Sequence, residues 1–390
     1  MPVFSNSFGK ALFALVLAAH VASQTRGTRF IESDNGVFSF MDLEERLELV
    51  TREPTEEVIT ADELRNLLQT KSTPRHYIGL EISGMLHLGS LVVTGFKIND
   101  FIKAGIETTV FLADWHTYIN DKLGGDWDRI KQVSRYYSEA FKLFCPGVNV
   151  VLGSDLYREQ GEKYWEEFVR FSKQMTLART MRSLTIMGRS ESEKNIDLSQ
   201  LLYPPMQSVD IKALDLDIVH AGMDQRKIHM LVREIFPKLK WKVPVLVHHH
   251  LLPGLSEPVK MGLTEDAAED SRLSSKMSKS KPASGVLIHD DEKTIREKIG
   301  KAFCPLGVAA GNPILELVRY VVFHQYSEFV IERPAKYGGA TTYPTYSDVE
   351  NDFMAKKIHP MDLKNATAEY INKIISPIQS HFKGREPQLS

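Results

Sequence analysis

One stretch constrains this chain more than any other: YIGLEISGMLHLGSLVVTGFKINDFIKAGIETTVFLADW, residues 77–115. The short apolar run "HYIGLE" gives way, at a turn rich in glycine and serine, to apolar residues spaced three and four apart. A second apolar run, "ETTVFLADW", then follows without polar alternation. Two strands joined through a helix lie parallel, and strands that are apolar throughout need both faces of their sheet covered. Further strands are expected at "NVVLGSD", "LDIVHAG" and "VPVLVHHH", separated by helical segments such as "DWDRIKQVSRYYSEAFKLF" and "QRKIHMLVREIF". The pattern predicts an α/β fold, a doubly wound parallel sheet whose ligand site lies beyond the C-terminal ends of its strands.

Around this unit the chain divides into three parts. Residues 41–290 carry the sheet pattern, starting with a helix at about 41–50, a turn at "REPTEE", and a helix opened by Thr60 with Glu63 in a capping box. From residue 291 to 390 the segments "DDEKTIREKIGKAF", "PILELVRYVVF" and "DLKNATAEYINKIISPIQSHF" predict a mainly helical second domain. Between them a polar, Ser/Lys-rich loop is expected at about 262–284. Residues 1–40 read as an extension. "GKALFALVLAAHVASQT" has the make-up of a secretory signal, too short to span a bilayer, and residues 1–31 share with organelle presequences a lack of acids. Against both stands Met41, which opens an acidic amphipathic helix like the start of a cytoplasmic chain, so a disordered or non-native extension is the expectation.

Composition excludes several classes. A net charge of -2 over 390 residues gives no chain-wide attraction for nucleic acid, so any polyanion must be met by local patches. Two cysteines, Cys145 and Cys304, are too few for a disulfide framework or a cysteine-bound zinc. The run His248-His249-His250 lies on an expected strand, where neighbours point to opposite faces and do not converge on one ion, so no metal site is expected.

Two short stretches carry chemistry. Gly84 and Gly89 flank His87 where strand becomes helix, a place where backbone can approach a ligand and free N–H groups attract phosphate. A structural turn histidine is the alternative there. "KMSKS", residues 276–280, sets Lys276 and Lys279 on a hydroxyl-rich loop, either a clamp for polyphosphate or a solvated surface run.

Together and in this order, "HLGS" and "KMSKS" resemble the two signature motifs of class I aminoacyl-tRNA synthetases. The strings "YIGLEISGMLHLG", "FLADWHTYIND", "LLYPPMQSVDI", "HAGMDQRKIHML", "KMSKSKP", "KAFCPLG" and "HPMDLKNATAEY" extend the resemblance to the tyrosyl-tRNA synthetases of archaeal and eukaryotic type, from Met41 to about residue 382. That resemblance implies a Rossmann-like catalytic domain, a C-terminal anticodon-binding domain, a homodimer, a cytoplasmic enzyme, and ATP with Mg2+ as substrate beside L-tyrosine and tRNA(Tyr). It implies no bound organic cofactor and no zinc.

Carried across position by position, the resemblance gives Tyr77 and Asp210 to the phenol hydroxyl of the substrate, and Tyr203, Gln207 and Gln225 to its amino group, with His116 facing the pocket. A site built to pair a hydroxyl rejects phenylalanine because its own polar groups would be left unpaired, and tyrosyl-tRNA synthetases are themselves the usual illustration of this asymmetry. Gly84, His87, Gly89 and Ser90 would line the ATP side, Gly222 and Asp224 the ribose, and Lys276 and Lys279 the pyrophosphate. His87 and the two lysines would act by stabilising phosphate charge, with no covalent enzyme intermediate. Arg226 would read the first acceptor-stem pair, while Tyr337, His359, Pro360 and Asp362 would meet the anticodon; the alternative for the last group is a helix-end turn with Asp362 as its cap.

One position departs from the family. Its first motif commonly ends in a second histidine where this chain has Ser90, which brings no positive charge. Lys279 stands where some relatives have serine, so the expectation is that it compensates and that Lys279→Ala slows adenylate formation far more than Ser90→Ala. Tryptophanyl-tRNA synthetase and a non-catalytic tRNA-binding protein remain as rival readings.

Overall fold

The computed structural model describes residues 30–32, 38–187, 196–258, 277, 284–385 and 387. Six strands form the main sheet: β1 (Thr55–Ile59), β2 (Arg75–Leu80), β3 (Glu107–Leu112), β4 (Asn149–Leu152), β5 (Ile218–Gly222) and β6 (Val245–His249). Their order is β1-β6-β5-β2-β3-β4, with five strands parallel and β1 antiparallel at one edge. The chain thus runs outward from β2 to β4 on one side and from β5 to β6 on the other. The switch point between β2 and β5 is where a sheet of this kind opens a crevice.

Helices cover both faces, as continuous apolar strands require. On one face α1 (Leu43–Thr51), α2 (Ala61–Thr70), α3 (Thr94–Lys103) and α4 (Trp127–Phe144) pack on Ile78, Val110, Leu112, Ile218, Val245 and Val247. On the other, α5 (Glu162–Ser172), α6 (Tyr203–Ala213) and α7 (Arg226–Ile235) pack on Tyr77, Phe111, Val219 and Leu246. Capping boxes start α1 (Asp42 with Glu45) and α2 (Thr60 with Glu63), the latter as its sequence predicts.

Strand β1 corrects the sequence reading, which makes "REPTEE" a turn. The two acids look unlike a strand, but here they sit on an edge and find partners on the next strands' histidines: Glu57 is in register with His248 and bonded to it at 2.8 Å. The C-terminal part is mainly helical, as expected, with α8 (Glu292–Lys301) and α9 (Pro360–Phe382), but it also contains a small antiparallel pair, Phe329–Ile331 with Thr341–Tyr343. Its core residues, among them Ile314, Val318, Phe329, Phe353 and Ile371, share one cluster with Leu88, Val92 and Phe96 from the segment after β2. Within residues 1–40, Phe30–Glu32 pairs antiparallel with Phe38–Phe40, and the remaining expectations for that extension lie outside the described residues. No helix among the described residues is long and apolar enough to cross a membrane.

Candidate functional site

The turn after β2 is built around His87. Its Nδ1 accepts a hydrogen bond from the Ser90 N–H at 3.3 Å, and Ser90 Oγ accepts one from the His87 N–H at 2.9 Å, a reciprocal cap that starts a wide helical turn over Leu88–Val93. With Nδ1 accepting, a neutral ring holds its proton on Nε2. Ser90 is therefore a structural member of the turn, a role that the comparison with a second histidine does not suggest. The carbonyl oxygen of Gly84, a residue at φ 149°, accepts a hydrogen bond from the Tyr137 hydroxyl at 2.8 Å. A Cβ on Gly89 would stand 3.2 Å from the His87 ring, so glycine leaves that ring its place.

Across the switch point, Gly222 ends β5 and Asp224 follows it. A Cβ on Gly222 would stand 2.5 Å from the Leu251 side chain and 2.7 Å from Asp224 Oδ1, so a larger residue there would push both side chains aside. Lys276 and Lys279 lie outside the described residues; of their loop only Met277 is described, buried, with its N–H donated to the Leu252 carbonyl at 2.9 Å.

A cluster of buried polar groups lies on the α5–α6 face of the sheet. Asp210 of α6 is 1% exposed and accepts from the Tyr164 hydroxyl at 2.8 Å and the Tyr157 hydroxyl at 3.3 Å. His116 Nε2 stands 3.8 Å away, and the His116 ring lies edge-on to Tyr203 at 4.5 Å. Burial pushes the Asp210 carboxyl up to about 8, against the lowering effect of the two tyrosine hydroxyls, and burial drops His116 to about 3, so that its ring is neutral. Tyr77, from β2, belongs to the same cluster; burial first and the Asp210 charge second raise its phenol. Sequence reasoning missed Tyr157 and Tyr164, because a tyrosine on a core-facing helix reads the same whether it packs or binds.

One turn earlier on α6, Gln207 Nε2 donates to Gln225 Oε1 at 3.1 Å, and Gln225 Nε2 donates to the Ile186 carbonyl at 3.1 Å. Gln207 Oε1 is left buried with no partner, an acceptor waiting for a donor. Glu81, one residue past β2, accepts from Asn120 at 2.7 Å and from the Tyr203 hydroxyl at 3.3 Å. It too escaped the sequence reading, although a lone acid directly after a buried strand was the available signal.

The remaining predicted residues lie elsewhere. Arg226, first in α7, pairs with Glu57 at 2.9 Å. His359 caps α9 through Nδ1, which accepts from the Met361 N–H at 3.1 Å, so the cap is His359 and not Asp362, which sits in the first turn after Pro360. Tyr337 closes the turn Ala335–Tyr337, and Arg333, just before it, donates to the Lys357 carbonyl at 3.3 Å, tying that loop to the chain ahead of His359. The three consecutive histidines diverge: His248 meets His229 and Glu57, His249 meets His220, and His250 meets Glu56 and Glu316.

A family model described as tRNA synthetases class I (W and Y) matches residues 69–376. A tyrosine–tRNA ligase of Thermococcus sibiricus is 47% identical over 362 residues, 88% of this chain and 96% of that protein. A crystal structure of tyrosyl-tRNA synthetase from Pyrococcus horikoshii, complexed with L-tyrosine, matches with a TM-score of 0.82 at 45% identity, covering 88% of this chain and 97% of that one. The tryptophanyl-tRNA synthetase of Plasmodium falciparum matches with a TM-score of 0.61 at 15% identity, a likeness of fold alone.

Proposed function

The chain belongs to the class I tRNA synthetases of the W and Y type, and we propose that within this family it is a tyrosine–tRNA ligase. It would join L-tyrosine to ATP as tyrosyl-adenylate and pass the tyrosyl group to the 3′ end of tRNA(Tyr). The observation that carries the choice of tyrosine is Asp210, a buried carboxyl held by tyrosine hydroxyls, with no lysine or arginine among the described residues paired to it. Such a group gains most from one further hydrogen-bond donor of phenol size, with Tyr77 beside it.

The rest of the pocket suits the other end of the amino acid. Gln207 Oε1, buried without a partner, accepts from the substrate ammonium, with Tyr203 and Gln225 around it and the Glu81 carboxylate supplying opposite charge. His116 closes the pocket as a neutral ring. With the ammonium and phenol fixed at opposite ends, the carboxylate faces the turn at His87. There a carboxylate oxygen attacks the ATP α-phosphorus and the bond to pyrophosphate breaks, a step that needs alignment and stabilised phosphate charge. The Nε2–H of His87 and the backbone at Gly84, Gly89 and Ser90 meet the phosphates, Gly222 and Asp224 the ribose, and Lys276 and Lys279 the leaving pyrophosphate. Mg2+ arrives with ATP and shares its charge. In the second step a hydroxyl of the terminal tRNA ribose attacks the adenylate carbonyl and AMP leaves.

On the tRNA, Arg226 reads the first acceptor-stem pair, while Tyr337, His359, Pro360 and Asp362 meet the anticodon from the helical domain of residues 291–390. A second copy of the chain is the expected partner for the exposed side of α5, where Trp165 and Val169 are 51% and 54% exposed one turn apart. Charging of tRNA takes place where protein is made, and the cytoplasm is the compartment this reading assigns. Tyrosine-dependent exchange of labelled pyrophosphate into ATP tests the reading; exchange with tryptophan in place of tyrosine overturns it.

A further inference from the structure

Where β6 ends, three consecutive residues face three parts of the molecule. His250 is clamped: its N–H donates to the Pro54 carbonyl at 2.8 Å, Nδ1 lies 2.5 Å from Glu56 of β1, and Nε2 lies 2.6 Å from Glu316 of the C-terminal helical part. Its ring stacks on Tyr320 at 4.1 Å and 20°. Leu251 comes next, and its side chain occupies the space that a Cβ on Gly222 would need. Leu252 then accepts the Met277 N–H of the "KMSKS" loop at 2.9 Å and lies against Gly89 of the first motif. Both motifs and the ribose glycine therefore touch a tripeptide whose first residue is held by the sheet's edge strand on one side and by the C-terminal helical part on the other.

We propose that His250 is a positioning residue for the ATP site: by bridging Glu56 and Glu316 it fixes Leu251 against Gly222 and Leu252 between the two signature motifs. The proposal rests on the reading of that crevice as an ATP site. An imidazolium between two carboxylates contributes little net stability once its desolvation is counted, whereas it fixes geometry in two directions at once. The clamp draws on every surrounding element: Glu56 from β1, Glu316 and Tyr320 from the segment 313–322, and Glu53 with Arg319, whose guanidinium lies over Tyr320 at 5.1 Å. His249, the sheet neighbour, turns away to His220 at 2.7 Å. Burial lowers the His250 pKa, but the carboxylates of Glu316 and Glu56 on either side of the ring outweigh burial and carry it to about 9, so the clamp is charged at neutral pH.

The test is pyrophosphate exchange by the full chain with His250→Gln, and with Glu316→Gln as a second variant that keeps the histidine. Misplacing a binding group by a fraction of an ångström weakens ATP use by roughly tenfold or more. The expected result is a KM for ATP raised about that much in His250→Gln, less in Glu316→Gln, and a KM for tyrosine unchanged in both. In the wild type the KM for ATP should climb as pH rises through about 9, while in His250→Gln it should be high at every pH. Equal rises in both KM values, or lowered melting temperatures with neither KM changed, overturn the proposal. A wild type without tyrosine-dependent exchange overturns the ATP-site reading and the proposal with it.

Discussion

Two carboxylates are buried to nearly the same degree on opposite faces of the sheet, Asp100 of α3 at 0% exposure and Asp210 of α6 at 1%. Asp100 is met by two cations: Arg52 reaches both its oxygens and Lys97 Nζ stands at 3.1 Å, with the His324 ring, which burial lowers to about 4 and keeps neutral, at 3.7 Å. Lys97 is itself buried, burial lowering its pKa to about 8, and it donates further to the carbonyls of Leu49 and Arg52. Asp210 has hydroxyls and a neutral imidazole instead. The first carboxylate is complete and ties α1, α3 and the C-terminal helical part together. The second is stable enough to persist yet able to take one donor more. A buried carboxylate with a full set of counter-charges is architecture, and a buried carboxyl without one, kept largely protonated by its burial, is a place for a ligand.

The contrast can be broken by exchanging what each group can do. Asp100→Asn should unbalance Lys97 and Arg52 and lower folding stability by about 3 to 5 kcal/mol, as loss of one partner in a buried ion pair does; denaturant unfolding measures this. The fraction that remains folded should activate tyrosine normally. Asp210→Asn should do the reverse, reducing kcat/KM for tyrosine by roughly 100-fold, the equivalent of about 3 kcal/mol, without lowering the unfolding midpoint near neutral pH.

Smaller changes sharpen the contrast. Tyr164→Phe removes the shorter of the two hydroxyl bonds to Asp210 and should raise KM for tyrosine by about 5- to 10-fold, the effect of about 1 to 1.5 kcal/mol. Ser90→Ala removes one half of the His87 cap and should cost about 1 kcal/mol of stability, with a slower adenylation step because the His87 backbone loses its anchor. That effect is not negligible, so the comparison with Lys279→Ala becomes a test of two roles, a cap and a cation. The contrast also carries a pH trend. The folded pKa of Asp210, about 8, lies above its ordinary value of 3.8, so its contribution to stability is complete in acid and is lost as pH rises through about 8. Melting temperatures of Asp210→Asn relative to wild type should therefore improve steadily between about pH 4 and pH 8.

Much of this architecture was legible before any coordinates. The parallel strands announced themselves because a strand covered on both faces has nowhere to place polar residues. Strand β1 did not, because Glu56 pairs with His250 and Glu57 with Arg226 and His248, partners distant in sequence that only the fold brings near. The same holds at the site. Tyr77, Asp210, Gln207 and Gln225 were reached through ordered motifs and come together as expected, and His116 joins them. Tyr157 and Tyr164 sit on separate helices with the spacing of ordinary core aromatics, so nothing local distinguishes them. Ser90 drew notice as a departure from a family pattern, yet its work as half of a cap depends on the φ and ψ of His87, −131° and 176°, which residue types alone do not specify.

The most direct test is tyrosine-dependent pyrophosphate exchange, measured side by side for wild type and Asp210→Asn with tyrosine, phenylalanine and tryptophan. The account predicts rapid exchange by the wild type with tyrosine alone, and an Asp210→Asn enzyme that has lost most of its preference for tyrosine over phenylalanine. A wild type that exchanges with tryptophan, or an Asp210→Asn enzyme that keeps full preference for tyrosine, would contradict it.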